Sequence, residues 1–352
     1  APLYRELLER EITISKRYQR GLLRRLPDNI AVERGCLARI GELFDLERRV
    51  LLVTDSGVPA EYVISAIAQC KAPFCVTLPR GEATKSLDTM RALCEKMVES
   101  GFDRGDCVLA RGGGMVGDLA GFAAATYMRG VDFYNVPTTL LAQVDSSVGG
   151  KTAANFCGVK NILGAFHAPK AVAVDPDLLQ TLDGRQYRNG LAEAIKMAAC
   201  LDEKLFFMFE HGVSTENIDE VIRRCIFAKM SIVEADEHES DLRRVLNFGH
   251  TIGHAVESAA KGALFHGECV AMGMPPMCED GEGKQRLCAV LKKYGFELHF
   301  SGDKEAALAA LEHDKKFEDG KITAVVLKNI GEYEFAKMST DEVKSRLEEV
   351  IR

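Results

Sequence analysis

The chain of 352 residues contains no tryptophan, and its 11 cysteines include no CxxC pair. An odd number of cysteines at irregular spacing excludes a disulfide framework and points to the reduced thiols of a cytoplasmic protein. No apolar run approaches the roughly 18 residues of a membrane span. No basic block or aromatic-interleaved stripe is present, and the net charge is -7, which argues against a nucleic-acid partner. The opening segment, APLYRELLEREITISKRYQRGLLRRL, has no apolar signal core and is too acidic for a transit peptide. Low-complexity segments are also lacking. What is there is a 47% hydrophobic content over a length that allows two cores.

The first half alternates strand-like and helix-like segments. Strands are predicted at Val50 to Thr54, Phe74 to Leu78, Cys107 to Ala110, Val131 to Val136 and Ala171 to Val174. Helical spacing covers 59–70, 85–100 and a stretch from about Gly117. Repeated strand-helix units predict a parallel, wound α/β sheet. From Tyr187 the period is mostly 3.6, over 187–200, 203–211, 216–235, 246–260, 283–294, 304–313 and 340–351. One strand pair, Thr323 to Leu327 and Tyr333 to Phe335, interrupts it across Gly331. The Asp183-Gly184 break sets the boundary between an α/β nucleotide-binding domain, 1–184, and an all-α domain, 185–352, that carries metal and substrate sites. A cleft between two such domains is a common ligand site.

Residues 143–161, QVDSSVGGKTAANFCGVKN, form a polar, glycine-punctuated stretch between apolar runs. Cradling an anionic ligand is the simplest reason for such a loop. Arg111 to Asp118, RGGGMVGD, follows a strand and opens a helix, where amide N–H groups and the helix dipole favour a pyrophosphate. It departs from the dinucleotide fingerprint, because no acidic residue closes a strand about 20 residues later. The turn Gly81 to Lys85 also precedes a helix; Glu82 suits ribose hydroxyls, and Lys85 a phosphate or a neighbouring acid.

In 247–254, NFGHTIGH, His250 and His254 share one helix face, a spacing that suits a divalent metal without the glutamate of HExxH. His266 follows in FHGE. Glu193 lies on an otherwise apolar helix side, where a buried carboxylate needs a partner or a metal. Two histidines and a carboxylate with an open position suit a catalytic zinc or similar ion, and the spacing leaves open which of His250 and His254 is the ligand. Arg129, Lys151, Lys160, Lys196, Lys229, Arg243, Lys315 and Lys316 all adjoin these segments. Cations gathered in one cleft of an acidic protein attract a doubly anionic substrate.

Taken together, GGGMVGD (112–118), TYMRG (126–130), VPTTL (136–140), DSSVGGKT (145–152), Lys160-Asn161, EAIK (193–196), LNFGHTIGH (246–254), HGEC (266–269) and, more weakly, DKK (314–316) resemble 3-dehydroquinate synthase. The resemblance runs from about residue 80 to 275. It implies an N-terminal nucleotide-binding α/β domain, a C-terminal helical domain and a homodimer. It also implies conversion of 3-deoxy-D-arabino-heptulosonate 7-phosphate to 3-dehydroquinate and phosphate, with catalytic NAD and zinc or cobalt, on the shikimate route to aromatic amino acids. Carried over by position, Glu193, His250 and His266 would ligate the metal, and His254 would face substrate. Lys151, Asn161 and Asn247 would hold the phosphate, with Arg129 reaching across from the partner subunit. Lys229 and Arg243, with Lys315 or Lys316, would bind the carboxylate, while Asp145 and Lys196 orient these groups. NAD would lie on Asp55, Glu82, Lys85, Gly113, Gly114, Met115, Val116, Gly117, Asp118, Thr138, Thr139, Lys151, Lys160, Leu178 and Thr181. Gly57 and Val159 depart from the family pattern, and the loop around Cys157 is short. Inosose and valiolone synthases alter the DSSVGGKT segment, and a metal-dependent polyol dehydrogenase would not need Arg129 or the Lys151–Asn161 pair.

Overall fold

The computed structural model describes residues 26, 29–236, 242–312 and 321–352. Lys315 and Lys316 lie outside the described residues. The first half builds a six-stranded parallel sheet from β1 (Ile30–Val32), β2 (Arg49–Asp55), β3 (Ala72–Leu78), β4 (Cys107–Gly112), β5 (Asp132–Pro137) and β8 (Ala171–Val174). Their order is β1-β8-β5-β4-β2-β3. Val50, Leu51, Leu52 and Val53 of β2 are all fully buried, as expected of a central strand covered on both faces. One face packs on Tyr62, Val63 and Ile67 of helix α1 (Ala60–Ile67), the other on α2 (Leu87–Glu99) and α3 (Gly114–Thr126).

From β2 the chain runs outward to β3 and then returns to the other side of β2 as β4. The order therefore reverses between β2 and β4, and ligands bind outside the carboxyl ends of the strands at such a point. Asp55 ends β2 and Gly112 ends β4, so both lie at that crevice.

Three features differ from the sequence expectation. Helix α3 begins at Gly114 rather than near Gly117, because the glycine turn tightens straight into the helix. The short β1 was not anticipated; three residues carry too little periodicity. The 143–161 stretch is not a loop. It is a π-helical turn, Ala142–Ser146, followed by an antiparallel hairpin of β6 (Lys151–Phe156) and β7 (Val159–Phe166). The hairpin lies across α3: Ala154, Leu163 and Ala165 face the core, while Phe156, Val159, Ile162 and Phe166 are 46%, 42%, 45% and 58% exposed.

The second half is mostly helical: α4 (Gly184–Leu201), α5 (Glu203–His211), α6 (Ile218–Ala235), α7 (His250–Ala260), α8 (His266–Gly273), α9 (Glu282–Lys293), α10 (Lys304–Glu312) and α11 (Thr340–Glu348). A hairpin of β9 (Lys321–Asn329) and β10 (Glu332–Ser339) completes it. Asp183 caps α4 by accepting from the amides of Arg185 and Gln186. The two halves share apolar core, since Ile30, Val144, Val172 and Leu179 pack in one cluster with Leu191, Ile195, Ile226 and Phe248. No described helix is long and apolar enough to cross a membrane.

Candidate active site between the sheet and the helices

Three helices meet where α4, α7 and α8 cross, and glycine sets how closely they meet. A Cβ on Gly267 would sit 2.2 Å from the Asn189 carbonyl oxygen of α4, and one on Gly273 would sit 2.1 Å from the Gly249 oxygen. This close packing brings Glu193, His250 and His266 together, with their ligand atoms within 4.8 Å of one another. His250 Nε2 lies 3.6 Å and His266 Nε2 3.3 Å from Glu193 Oε1. The outer nitrogens are also held: His250 Nδ1 is 3.1 Å from the Phe248 carbonyl, and His266 Nδ1 is 3.0 Å from Glu257 Oε2. That arrangement aims both Nε2 atoms inward, as metal-ligating imidazoles require.

Glu193 is buried, and neither oxygen has a hydrogen-bond donor of good geometry. Burial alone would push its pKa up; Lys196, His250 and His266 overcome that and hold it well below the usual carboxylate range. Burial and Lys196 hold His250 neutral, well below the ordinary imidazole value. A buried carboxylate kept ionised, beside a neutral imidazole and a second oriented one, fits a divalent ion with nitrogen and oxygen ligands. His254 is exposed, with its ring centroid 5.2 Å from His250 and 5.8 Å from His266. It lies outside the Glu193 cluster and groups instead with Glu257 and His266, so His250 is the histidine that shares a set with the buried carboxylate.

Charges alternate away from this cluster. Lys196 pairs with Glu193 and donates to the Leu246 carbonyl at 2.6 Å. Burial works against its charge, but Glu193 and Asp145 raise its pKa above the ordinary value. Lys229 donates to the Asp145 carbonyl at 2.7 Å and pairs with Asp145 Oδ1 at 2.8 Å. Here burial prevails and lowers the lysine pKa, despite Asp145. Arg243 donates through its backbone to Asp236 and through NH2 to the Gly149 carbonyl, 3.3 Å away. Gly149 has φ +97°, and a Cβ there would come 3.1 Å from Arg243 NH2 and 3.4 Å from Lys229 Cε. The bare turn thus lets two cations close on the start of β6, where Lys151 is exposed. Asn247 is the last residue before the Phe248-Gly249 turn into α7, next to His250.

A second network lies on the sheet side. Lys85 is buried and pairs with Asp118 of α3 and with Asn161 Oδ1 of β7. Of the two roles left open for Lys85, the structure places it on the neighbouring acid. Burial raises the Asp118 pKa, against Lys85. Asn155, a polar residue of the 143–161 stretch with no role assigned from the sequence, donates to Glu82 Oε1 at 3.0 Å and accepts from the Asn161 amide at 2.9 Å. Val116 and Met115 turn their side chains into the core, so only their amides are available at the α3 N-terminus. No side chain caps that terminus. Thr138 donates from its backbone to the Gly112 carbonyl at 2.9 Å, and Thr139 abuts Gly113. Together these form a glycine-lined helix N-terminus that fits a pyrophosphate. Thr181 contacts Tyr62 Oη at 3.4 Å, whereas the Leu178 side chain is buried in the sheet core. Asp55 accepts from the Gly57 amide at 2.7 Å.

Lys160 reaches over the gap between the networks, pairing with Glu257 Oε1 at 2.6 Å. Glu257 was not picked out from the sequence, although His250, His254 and Glu257 share one face of α7. Arg129 lies at the other end of α3 from the glycine turn. That helix is 13 residues long, so Arg129 stands about 20 Å along its axis from the turn.

This architecture is shared with solved structures. A 2-deoxy-scyllo-inosose synthase, complexed with carbaglucose-6-phosphate, NAD+ and Co2+, superposes with a TM-score of 0.85 at 26% identity over 91% of this chain and 96% of that one. A 2-epi-5-epi-valiolone synthase from Streptomyces hygroscopicus subsp. jinggangensis 5008, with NAD+ and Zn2+ bound, gives 0.82 at 28% identity over 93% and 97%. The fold and the cluster therefore place the chain in the class of these synthases. Within it, the 3-dehydroquinate synthase N-terminal and C-terminal family profiles match residues 75–189 and 190–317. The curated 3-dehydroquinate synthase of Enterococcus faecalis is 38% identical over 343 residues, covering 91% of this chain and 95% of its own. The chain belongs to the 3-dehydroquinate synthase family.

Proposed function

We propose that this chain converts 3-deoxy-D-arabino-heptulosonate 7-phosphate to 3-dehydroquinate and inorganic phosphate, using NAD and a zinc or cobalt ion that it regenerates unchanged. The observation that carries this is the alternating array Lys229–Asp145, Lys196–Glu193 and His250/His266, lying beside a glycine-lined helix N-terminus. When bound, NAD would accept and return a hydride, and the ion would act as a Lewis acid toward substrate hydroxyls.

Glu193, His250 and His266 hold the ion. Gly113 to Asp118, Thr138, Thr139, Glu82, Asp55, Leu178 and Thr181 hold NAD, with Lys85 acting through Asp118. Lys151, Asn161 and Asn247 bind the substrate phosphate, and Lys229 and Arg243 its carboxylate. Lys196 keeps Glu193 ionised, Asp145 positions Lys229, and His254 moves protons at the open side of the cluster. Pre-set groups of this kind avoid reorganisation as charge develops.

Assignment of the phosphate-binding Arg129 to a partner subunit is supported by its distance from the glycine turn. The apolar outer face of β6 and β7 and the exposed Met128 support a homodimer through that surface. A cytoplasmic location accords with eleven free thiols. The test is the His250→Ala protein: it folds, binds the ion poorly and forms no dehydroquinate. Full turnover by metal-free His250→Ala would overturn the assignment.

A further inference from the structure

Resting on the ion and NAD assignments above, we infer that Glu257 is a positioning residue that couples the ion site to the nucleotide site. Its two carboxylate oxygens are divided between them. Oε2 takes His266 Nδ1 at 3.0 Å, and Oε1 takes the Lys160 ammonium at 2.6 Å. His266 then presents Nε2 toward Glu193. The two histidine ligands are thus oriented differently. His250 leans on a backbone carbonyl of its own helical half, that of Phe248. His266 leans on a side chain whose second oxygen is held by β7 of the sheet half.

Glu257 is well placed for this. It lies two turns beyond His250 on α7, so the helix that supplies one ligand also orients the other. Lys160 follows the Cys157-Gly158 turn, where both residues have positive φ, and precedes Asn161, which joins the Lys85–Asp118 network. Any nucleotide phosphate or ribose that draws Lys160 away removes a cation from Glu257. The carboxylate then gives its full charge to His266, and the imidazole becomes a better ligand. Linkage is reciprocal, so ion binding must tighten nucleotide binding by the same factor.

The test uses the full-length protein titrated with Co2+, followed by the visible absorption of the bound ion, with and without NAD. Wild type binds Co2+ several-fold more tightly when NAD is present. Glu257→Gln binds Co2+ roughly 10–100-fold more weakly and loses the NAD effect. Lys160→Met is the second variant; its side chain is 57% exposed, so folding is not at stake. At an NAD concentration that saturates the variant, it abolishes the NAD effect on Co2+ affinity without weakening Co2+ binding in the absence of NAD. Wild-type Co2+ affinity and an unchanged NAD effect in Glu257→Gln would overturn the inference. Weakened Co2+ binding with the NAD effect intact would overturn the coupling. The His250→Ala control separates the two layers: if it too binds Co2+ like wild type, the ion assignment has failed rather than the role of Glu257.

Discussion

Replacing Gly273 with alanine should damage the ion site without touching a ligand. Gly273 ends α8, which opens with His266, and packs on the first turn of α7, which opens with His250. An alanine Cβ would lie 2.1 Å from the Gly249 carbonyl oxygen and 2.7 Å from the Gly253 amide nitrogen, both backbone atoms. Because such contacts essentially never fall below 3.0 Å, the two helices must part by about 1 Å at this point. Backbone cannot rotate away as a side chain can, so overpacking should cost about 1–3 kcal/mol of stability. The His250 and His266 rings are 5.2 Å apart between centroids, and a bound zinc accepts nitrogens only near 2.0–2.1 Å. Opening the crossing should weaken the ion by at least about tenfold, or about 1.4 kcal/mol. Urea unfolding of the metal-free protein measures the first effect and Co2+ titration the second. Wild-type values in both would refute the claim that glycine contact between α7 and α8 sets the ligand geometry.

Other expectations rest on different parts of the molecule. Arg111 is fully buried, none of its three side-chain nitrogens has a hydrogen-bond partner, and burial pushes its pKa down to about 10. Arg111→Met should therefore raise stability by about 1 kcal/mol or more in urea unfolding, and a loss would show that Tyr62 and Asp175 compensate the charge. Glu268 anchors α8 through two 2.7 Å bonds to Arg185; burial opposes its ionisation, but Arg185 holds its pKa below the ordinary value. Its folded-state pKa is depressed, so its contribution is present above the unfolded carboxylate pKa of about 4.3 and is lost as pH falls through the lower folded value. Glu268→Gln should cost about 1 kcal/mol at neutral pH and progressively less in acid; a difference that grows toward low pH would contradict this. Arg129→Ala should raise the substrate KM at least about tenfold and leave NAD affinity unchanged. Mixing it with an active-site variant such as His250→Ala should restore part of the activity if Arg129 serves the partner's site, and no restoration would place it in its own.

The sequence was most legible where one period or one turn dominates. The strands at 50–54, 74–78, 107–110 and 171–174 and the helices at 203–211 and 283–294 lie within a residue or two of where their patterns put them. The hairpin β6–β7 was missed because Asn155, Gly158, Lys160 and Asn161 hide its alternation, and its outward residues Phe156 and Ile162 have no core of their own to declare. In the site, His250 and His254 are equivalent by spacing; the crossing of α7 with α4 and α8 puts His250 with the buried Glu193 and His254 with Glu257, and both sets include His266. Glu257 carried a signal, the i, i+7 relation to His250, but a glutamate on a helix face is ordinarily a solvated charge. Its partners His266 and Lys160 come from elements that only the fold brings together. Arg111 reads as part of a polar turn, yet β4 carries it under Tyr62, its Cζ 5.5 Å from the ring centroid.

A cyclase that recycles its hydride is tested most directly by phosphate release from 3-deoxy-D-arabino-heptulosonate 7-phosphate, with zinc and with NAD limiting relative to substrate, while the NADH absorbance is followed. Many phosphates released per NAD, with no lasting NADH signal and with dehydroquinate as product, is the expected result. NADH that accumulates in step with substrate consumed, without phosphate, would contradict the account and make the protein a net dehydrogenase.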